Sequence, residues 1–443
     1  MSIHDEIKEF LKDKNPKFTY NATEQNLDKI ERVLYSGPYW SEDETIAIIE
    51  SILTGKWMSA GEKVHRFEYQ FAKKYKEKAA LMLNSGSSAN LILITAMKKY
   101  LGWKDGDEII VSPVGFPTTI APIVQNNLKP VFVDIEFDTL NFDINKIWEK
   151  ITDKTRAVFI SPVLGNSPNI DTLIGIIAGK GIHIILDSCD SLGSKWGNKY
   201  LNEYAFASSF SFYPAHHITT MEGGMITSHD EKFIALARSL TWWGRDCYCV
   251  GAANLLPNGT CGKRFDNWIE NTDCIIDHKY VFNNIGYNLK PLDLQGAIGI
   301  EQLKKVDEID RKRKENKKII QNIFEKELGD LIRIPNEYKY AETSWFGVPI
   351  IVQDEIFDGA AMIEAKVHKR NLVAYLEKNR IQTRNYFAGN ILLHDGYKHL
   401  DDYKKYPNAN RVLDEVFFIG CHPSYNDKTF DYIRKVLREW KND

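Results

Sequence analysis

The stretch from residue 208 to residue 217 reads Ser208-Ser209-Phe210-Ser211-Phe212-Tyr213-Pro214-Ala215-His216-His217. It predicts a short buried strand followed by a proline turn that carries two adjacent histidines, and Gly223 and Gly224 then introduce a further strand. Loops at the ends of buried strands are where α/β folds build their sites. An isolated pair of histidines more often caps a turn, so the meaning of this stretch depends on its surroundings.

Short apolar runs alternate with helical patterns on the N-terminal side of this stretch. Apolar strands are predicted at 79–83, 108–111, 131–134, 157–160 and 182–186. Strands that alternate with helical segments are typical of a mostly parallel sheet with crossover helices. The pattern therefore predicts an α/β fold.

The composition is that of an ordinary globular enzyme. Of the 443 residues 43% are apolar and 26% are charged, and the net charge of −3 gives no reason to expect a nucleic acid or a membrane surface as partner. No run approaches the roughly 20 apolar residues that a spanning helix needs. The polar start from Met1 to Asn15 lacks the apolar core of a secretory signal. We expect a cytoplasmic protein.

A turn of small residues follows the first predicted strand. The chain passes from Ala79–Leu83 into a helical pattern at Leu91 through Asn84-Ser85-Gly86-Ser87-Ser88-Ala89-Asn90. This arrangement suits a phosphate, because the free amides of the first helical turn point at the anion and serine hydroxyls add donors. Serine-rich N-caps are also common without a ligand, so the motif needs support from the others.

Two more strand ends carry side chains that are suited to chemistry. The strand at 182–186 ends at Asp187, with Cys189 and Asp190 close behind, and Phe116 follows the strand at 108–111. A carboxylate at such a position can stabilise a protonated ring nitrogen, or it can cap a helix. An aromatic residue can lie against a ring, or it can belong to the core.

Six cysteines are too few for a disulfide scaffold in a chain of this length. Their positions are uneven: Cys189, Cys247, Cys249, Cys261, Cys274 and Cys421. A Cys-x-Cys pair with a third thiol close behind predicts metal ligation in a reducing compartment. Four thiolates suit structural zinc and a 2Fe–2S cluster equally well.

Together these motifs resemble the sugar aminotransferases that use pyridoxal phosphate (PLP), a family of fold type I, the aspartate aminotransferase-like fold. In that family the loop reads Ser-Phe-Phe-Pro-x-Lys, and here His216 occupies the position of the lysine. A histidine forms no covalent link to the cofactor but moves protons near neutral pH. The substitution resembles the pyridoxamine 5'-phosphate-dependent 3-dehydrases of nucleotide-linked 4-keto-6-deoxy sugars, above all the CDP-4-keto-6-deoxyglucose type, which carries an iron–sulfur cluster.

The resemblance covers roughly residues 42–440 and implies a domain plan. It places an N-terminal helical extension at 1–40, a large cofactor-binding domain at 41–300 with a cysteine-containing insertion at 243–280, and a small C-terminal α/β domain at 301–443. It also implies site residues: His216 as the base, Asp187 at the pyridine nitrogen, Asp190 at the ring hydroxyl, Phe116 against the ring, Ser87, Ser88 and Ser211 at the phosphate, and Arg384 at the substrate. In this family Asn288 would reach the phosphate from the neighbouring subunit, which implies a homodimer.

The same resemblance assigns Cys189, Cys247, Cys249 and Cys261 to a 2Fe–2S cluster. The 57 residues between Cys189 and Cys247, and the single residue between Cys247 and Cys249, match the spacing of the iron–sulfur 3-dehydrases. The gap from Cys249 to Cys261 is longer than in the family. A longer loop is tolerated entropically, but it leaves Cys274 as a competitor for the fourth position.

The reaction implied is a C3 dehydration. The cofactor forms an imine with the sugar's C4 ketone, His216 removes a proton, and the C3 hydroxyl leaves as water. Electrons from an NAD(P)H-dependent flavin/iron–sulfur reductase then pass through the cluster to give a 3,6-dideoxy sugar for a surface polysaccharide. Three alternatives stay open: a cluster-free GDP-4-keto-6-deoxymannose-type 3-dehydratase, an ordinary sugar aminotransferase, and a non-catalytic sensor with a structural zinc.

Overall fold

The structure, a computed structural model, describes residues 2–12, 32–247, 262–266, 269–270, 272–357 and 361–442. In this part of the chain no helix is both long enough and apolar enough to cross a membrane. The helices are α1 (Ile3–Lys12), α2 (Glu42–Thr54), α3 (Glu62–Lys74), α4 (Gly86–Tyr100), α5 (Pro117–Gln125), α6 (Ile170–Ile177), α7 (Glu231–Thr241), α8 (Asp293–Leu328), α9 (Ala365–Lys378), α10 (Pro407–Glu415) and α11 (Asp427–Asn442).

The strands fall into one large sheet, one smaller sheet and short ribbons. They are β1 (Ala79–Leu83), β2 (Glu108–Val111), β3 (Lys129–Phe132), β4 (Thr155–Ile160), β5 (His183–Asp187), β6 (Lys195–Trp196), β7 (Lys199–Tyr200), β8 (Ala207–Ser211), β9 (Gly224–Ser228), β10 (Ile332–Arg333), β11 (Ala341–Glu342), β12 (Gly347–Val352), β13 (Glu355–Phe357), β14 (Ala361–Ile363), β15 (Thr383–Asn385) and β16 (Val416–Gly420).

The large sheet has the order β1-β9-β8-β5-β4-β2-β3. Strand β9 runs antiparallel to β1 and β8, and the other neighbours are parallel. Most residues of these strands are buried, because helices cover both faces, as a parallel sheet requires. The predicted α/β fold with a mostly parallel central sheet is confirmed.

The parallel strands bring the predicted site residues to one edge of this sheet. The carboxyl ends of β5 and β8 meet there, with Asp187 at the end of β5 and Ser211 at the end of β8. The amino end of α4 lies against the same edge, because Gly86 packs on Ser211 and Gly224 packs on the carbonyl of Ser85. The site is therefore built where open parallel sheets place their ligands.

The small domain is an antiparallel sheet in the order β10-β12-β16-β15, packed against α9 and α10, and α11 packs on α8 and α9. Helix α8 connects it to the large domain over 36 residues and contacts α2, α3 and α11 along its length. It runs across residue 300, where the sequence analysis divided the two domains, so one helix serves both. Helix α1 packs on α2 through Ile7, Leu11 and Ile46.

Candidate active site

A cavity of about 440 Å³ opens at the carboxyl ends of β5 and β8. Its volume lies within the usual range of small-molecule sites. Eight of the predicted site residues line it: Ser87, Phe116, Asp187, Cys189, Asp190, Ser211, His216 and Arg384. A second cavity of about 790 Å³ adjoins it and shares Tyr35, Tyr213, Ala215 and Arg384 as walls.

Asp187 is buried at the floor of the cavity, with 3% of its surface exposed. Its Oδ2 accepts hydrogen bonds from the Asn90 amide at 2.8 Å and from the Thr119 hydroxyl at 2.6 Å. Ser209 donates in turn to the Asn90 carbonyl oxygen. On Oδ1 the carboxylate accepts the backbone N–H of Cys189 at 3.2 Å. A buried carboxylate needs such donors, and this set fixes its plane.

The amino end of α4 forms the opposite end of the cavity. Ser85 caps the helix by accepting the backbone N–H of Ser88, and its hydroxyl donates to the Ser88 hydroxyl at 3.0 Å. A Cβ on Gly86 would lie 2.5 Å from the Cβ of Ser211, so no larger residue fits there. The exposed hydroxyl of Ser87 donates to Thr118 at 3.1 Å. Free helical amides and hydroxyls at this end favour an anion.

The His216 side chain lines the cavity and points its Nδ1 at Asp190. Nδ1 lies 3.4 Å from the Asp190 carboxylate, whose other oxygen accepts the backbone N–H of Leu164 at 3.3 Å. The His216 ring also packs against Phe346, with ring centroids 5.3 Å apart. Since Nδ1 faces the carboxylate, Nε2 is the nitrogen that remains for proton transfer.

His217 differs from its neighbour in burial and in hydrogen bonding. It is buried, and its Nε2 lies 3.0 Å from the carbonyl oxygen of Ser344. Because a carbonyl only accepts, Nε2 carries the proton of the neutral ring. Burial lowers the pKa of His217 well below its usual range, and the charge of Arg313 lowers it further. A neutral, buried imidazole serves the packing of the loop rather than proton transfer at the cavity.

Aromatic rings and one arginine form a further part of the cavity wall. Phe116 is exposed at 53% and meets Phe387 edge-on, with the centroids 6.2 Å apart. The guanidinium of Arg384 stacks on the ring of Tyr35 at 4.0 Å, at the boundary between the two cavities. An arginine in this position can pair with a phosphate in either space.

Comparison with known proteins identifies the family. Residues 40–438 match the model of the DegT/DnrJ/EryC1/StrS aminotransferase family. The chain belongs to this family. It is 35% identical to the dTDP-4-dehydro-2,6-dideoxy-D-glucose 3-dehydratase of Saccharopolyspora spinosa, over 91% of this chain and 86% of the relative. It is 33% identical to the lipopolysaccharide biosynthesis protein RfbH of Salmonella typhimurium, over 91% of each chain.

A solved structure supports the same assignment. An Escherichia coli GDP-4-keto-6-deoxy-D-mannose-3-dehydratase with bound hydrated PLP superposes with a TM-score of 0.78 at 32% identity. The match covers 91% of this chain and 99% of the other. The chain therefore has the PLP-dependent aminotransferase-like fold, and its relatives include sugar 3-dehydratases.

Two residues that the family resemblance assigned to the phosphate do not line the cavity of this chain. The Ser88 hydroxyl is bonded to Ser85, and Ser88 is not part of the cavity wall within the described residues. Asn288 pairs with Trp242 and accepts a hydrogen bond from Lys290. Burial, aided by Arg245, lowers the pKa of Lys290 to about 8. These contacts of Asn288 are all within one chain. The predicted contact of Asn288 with the cofactor phosphate of a neighbouring subunit therefore stays a prediction.

The cysteines of the predicted metal site lie in different surroundings. Cys189 lies in the cavity wall, where burial and the charge of Asp187 raise the pKa of its thiol well above the usual range. Cys247 is half-buried and Cys274 is exposed. Cys249 and Cys261 lie outside the described residues. Among the residues that are described, no three His, Cys, Asp or Glu side chains are grouped so as to hold a metal ion.

Sequence reasoning missed the residues that hold the predicted ones in place. Asn90 and Thr119 orient Asp187, and Phe346 and Phe387 close the wall around His216. Asn90 carried a usable signal, because it lies two residues beyond the Ser-Gly-Ser-Ser motif as a polar residue before an apolar run. Phe346 carried none, since it resembles any core residue of the small domain.

Proposed function

We propose that this chain is a pyridoxamine 5'-phosphate-dependent 3-dehydratase of nucleotide-linked 4-keto-6-deoxy sugars. One observation carries the proposal: His216, backed by Asp190, lies in the cavity wall where an aminotransferase of this family has its lysine. Among the described residues that line the cavity there is no lysine. A cycle that depends on a covalent lysine link is therefore disfavoured, whereas proton transfer by an imidazole is supported.

The cavity residues fit this cofactor. The carboxylate of Asp187, whose Oδ1 accepts one backbone N–H, lies at one end, and the amino end of α4 lies at the other. The amino end of α4 can approach β8 this closely only with glycine at position 86, because a Cβ there would collide with Ser211. Asp187 would hold the pyridine nitrogen, and Ser87, Ser211 and the first amides of α4 would hold the phosphate.

When bound, the cofactor supplies an amine for the sugar's C4 ketone and a ring that takes up electrons. Asp187 favours the positive charge on the ring nitrogen, because a nearby anion stabilises the protonated form. His216 takes and returns a proton through Nε2 at the reacting carbon and the departing C3 hydroxyl. Asp190 holds the imidazole ring in the orientation that leaves Nε2 free.

The dehydration test uses full-length protein loaded with pyridoxamine phosphate and supplied with CDP-4-keto-6-deoxyglucose. We expect loss of the C3 hydroxyl, detected by mass spectrometry of the sugar product. His216→Asn should slow it by about 10²- to 10⁴-fold, the usual contribution of a general base. The matched control is His229→Asn, which should keep the wild-type rate. His229 is half exposed and follows the end of β9 that pairs with the start of β8, at the far end of these strands from the cavity. An amino sugar formed from glutamate, or full activity in His216→Asn, would overturn the proposal.

We further propose that the substrate carries CDP and that a 2Fe–2S cluster delivers electrons to the dehydrated sugar. The support is the position of Cys189 in the cavity wall, together with the Cys189, Cys247 and Cys249 spacing. Cys261 or Cys274 would complete the set, and a thiolate cluster needs four ligands. An NAD(P)H-dependent flavin/iron–sulfur reductase would supply the electrons.

Spectra of protein purified without air test the cluster. We expect visible charge-transfer absorbance and, after dithionite, the paramagnetic signal of a reduced 2Fe–2S centre. Cys247→Ser should remove both, whereas Cys421→Ser, a buried thiol of the small domain, should keep both. Separate replacement of Cys261 and Cys274 identifies the fourth ligand. Colourless protein that contains zinc would contradict the cluster and would favour a structural metal.

A cluster-free GDP-4-keto-6-deoxymannose-type dehydratase is the second candidate. It is favoured by the superposition on the E. coli enzyme with bound hydrated PLP, which covers 99% of that chain. The two candidates differ in how the cofactor is restored. Protein without iron that turns over a GDP-linked sugar with glutamate alone supports the second candidate, and dependence on reduced iron supports the first.

We also propose a homodimer with shared sites. Large apolar side chains are exposed near Asn288, including Ile285 at 99% and Tyr287 at 40%, as at a surface that another subunit covers. Mixing two inactive variants tests the sharing. In a mixed dimer, the His216→Asn subunit supplies a native Asn288 to the site that contains the native His216 of the Asn288→Ala subunit. That site has both native residues, so activity should return on mixing. Two sites confined to single subunits would give no recovery.

A further inference from the structure

Arg313 is a fully buried arginine of helix α8. Only 1% of its surface is exposed, and within the described residues no carboxylate lies close enough to form an ion pair with it. Its Nε has no hydrogen-bond partner there either. Burying a guanidinium in this way costs free energy, and an apolar residue of the same size is often more stable in such a place. The contacts that the guanidinium makes therefore indicate what this buried charge does.

The guanidinium acts on one short segment between the two domains. Nη1 donates to the carbonyl oxygen of Phe346 at 2.9 Å and lies 3.4 Å from that of Trp345. The Cys421 thiol donates to the same Trp345 carbonyl at 3.3 Å, and Lys317 stacks on the Trp345 ring at 4.7 Å. Arg313 and Lys317 of α8, together with Cys421, thus hold residues 345–346 in place.

The segment that Arg313 holds is the one that contacts the proposed base. The Phe346 ring lies 5.3 Å from the His216 ring, and the Phe346 N–H donates to the carbonyl of Leu164 at 3.1 Å. The Leu164 N–H donates to Asp190, and Asp190 faces His216 Nδ1. These contacts close a ring: His216 to Asp190, Asp190 to Leu164, Leu164 to Phe346, and Phe346 back to His216.

Gly165 brings the loop of this closed chain of contacts next to residue 344, which precedes the same segment. Gly165 has a φ of +96°, and a Cβ there would lie 2.4 Å from the carbonyl oxygen of Ser344. That carbonyl is the partner of His217 Nε2. The loop that orients Asp190 and the loop that carries both histidines therefore share residues 344–346 as their support. A shift of this support would move the imidazole and its carboxylate relative to each other.

We propose that Arg313 is a positioning residue for the dehydration: it fixes residues 345–346 so that Phe346 holds the imidazole of His216 against Asp190. The proposal rests on the proposed role of His216 as the base. An arginine suits this task because its rigid, planar guanidinium holds one nitrogen, Nη1, beside two adjacent carbonyls. An apolar residue would fill the space without setting the position of the backbone.

Steady-state kinetics of the pyridoxamine phosphate-loaded enzyme test the proposal. Arg313→Leu should lower kcat roughly 10- to 100-fold, as small misplacements of a catalytic group do, and leave KM within about twofold. Phe346→Leu should have a similar effect. Because both act on the same contact, the double variant should be no slower than the slower single variant. Arg313→Lys, which keeps the charge but loses the planar fork, should fall in between.

A second measurement does not depend on turnover. In full-length protein labelled with nitrogen-15 at histidine, Arg313→Leu should shift the ring-nitrogen signals of His216. The matched control is Arg238→Leu, which removes a partly buried arginine that binds Glu68 away from the cavity. It should lower stability and leave both kcat and the His216 signals unchanged.

The outcomes separate this inference from the proposed function. If His216→Asn abolishes dehydration while Arg313→Leu keeps kcat within twofold, or the two single effects multiply in the double variant, the positioning role is refuted and the function stands. If His216→Asn dehydrates normally, the proposed function fails as well. Should Arg313→Leu not fold, Arg313→Lys and Phe346→Leu decide the question, because unchanged kcat and unchanged signals in both would refute the role.

Discussion

The two nitrogens of the His216 imidazole lie in different environments. Nδ1 faces the Asp190 carboxylate at 3.4 Å, and Nε2 is left to the cavity. Asp190 itself is 8% exposed and is held by the N–H of Leu164. A fixed carboxylate beside one ring nitrogen sets the tautomer and the orientation of the ring. The side chain that the family resemblance assigned to a ring hydroxyl therefore faces the imidazole in this structure, and we predict that it supports the ring.

Asp190→Asn tests this support. The amide keeps the shape of the side chain but removes the charge that favours a proton on Nδ1, so we expect dehydration to slow by at least about 10²-fold. Affinity for pyridoxamine phosphate, followed by its absorbance during titration, should change little. Asp187→Asn is the contrast, because it should weaken both the rate and the affinity. Equal rates in Asp190→Asn and wild type would contradict the assignment.

Thr119→Val tests the network beneath Asp187. The hydroxyl of Thr119 donates to a buried carboxylate at 2.6 Å, and valine has nearly the same shape. Losing a hydrogen bond to a charged group should lower the free energy of unfolding by about 1.5–3 kcal/mol. Urea unfolding of cofactor-free protein measures it. The control is Thr95→Val, whose hydroxyl bonds only to the Leu91 carbonyl within α4 and should matter much less.

At the level of elements, the amino end of α4 shows how the chain makes room for an anion. The helix is capped by Ser85, begins at Gly86, and touches Ser211 of β8 at the glycine. The carbonyl of Ser85 in turn lies close to Gly224, the first residue of β9, where a Cβ would be only 2.2 Å from its oxygen. Two glycines from separate parts of the sequence thus allow three elements to meet, and the free amides of α4 face the cavity as a result.

Gly86→Ala should damage this junction. The added Cβ would lie 2.5 Å from Ser211, so either α4 or β8 must shift. We expect weaker binding of pyridoxamine phosphate, by about tenfold or more, together with a loss of stability of about 1–3 kcal/mol from overpacking. Titration and urea unfolding measure the two effects. Gly175→Ala is the matched control: it adds the same group inside α6 with nothing within 4 Å and should stabilise the protein by about 0.5–1 kcal/mol.

For the whole molecule, Glu68 joins elements that are distant along the chain. From α3 its carboxylate accepts the N–H of Met82 in β1 at 2.8 Å and binds Arg238 of α7 at 2.9 Å. Burial raises the pKa of Glu68, but Arg238 and His65 outweigh it and bring that pKa down to about 2. Because the pKa of Glu68 is lower in the folded state than its ordinary 4.5, the charged form stabilises the fold.

The sign of the pH dependence follows from this. The stabilisation of the fold by charged Glu68 is fully present above pH 4.5 and is lost as the pH falls towards 2. A pKa shift of this size corresponds to about 3 kcal/mol of free energy of unfolding. Glu68→Gln should therefore be less stable than wild type near neutral pH, and the gap should narrow between pH 5 and pH 3. Urea unfolding at each pH measures it. A gap that stays constant with pH would show that Glu68 acts through packing alone.

The sequence by itself determined the elements and the chemistry that is local along the chain. The alternation of strands and helices, the serine turn before α4, and the step from Pro214 to His216 depend on neighbours within a few residues, so pattern and family motif could place them. The same holds for Asp187 at the end of β5. These features follow from periodicity and turn chemistry, which are properties of short segments.

Only the tertiary structure decided which distant side chains meet. Asn90 binds Asp187 across 97 positions, and Phe346 of the small domain packs on His216 of the large one. The partner of Asp190 depended on the path of the loop at 163–165, and the role of Arg313 on how α8 spans both domains. Such contacts are set by the packing of whole elements on one another, and no short stretch of sequence encodes the distance between them.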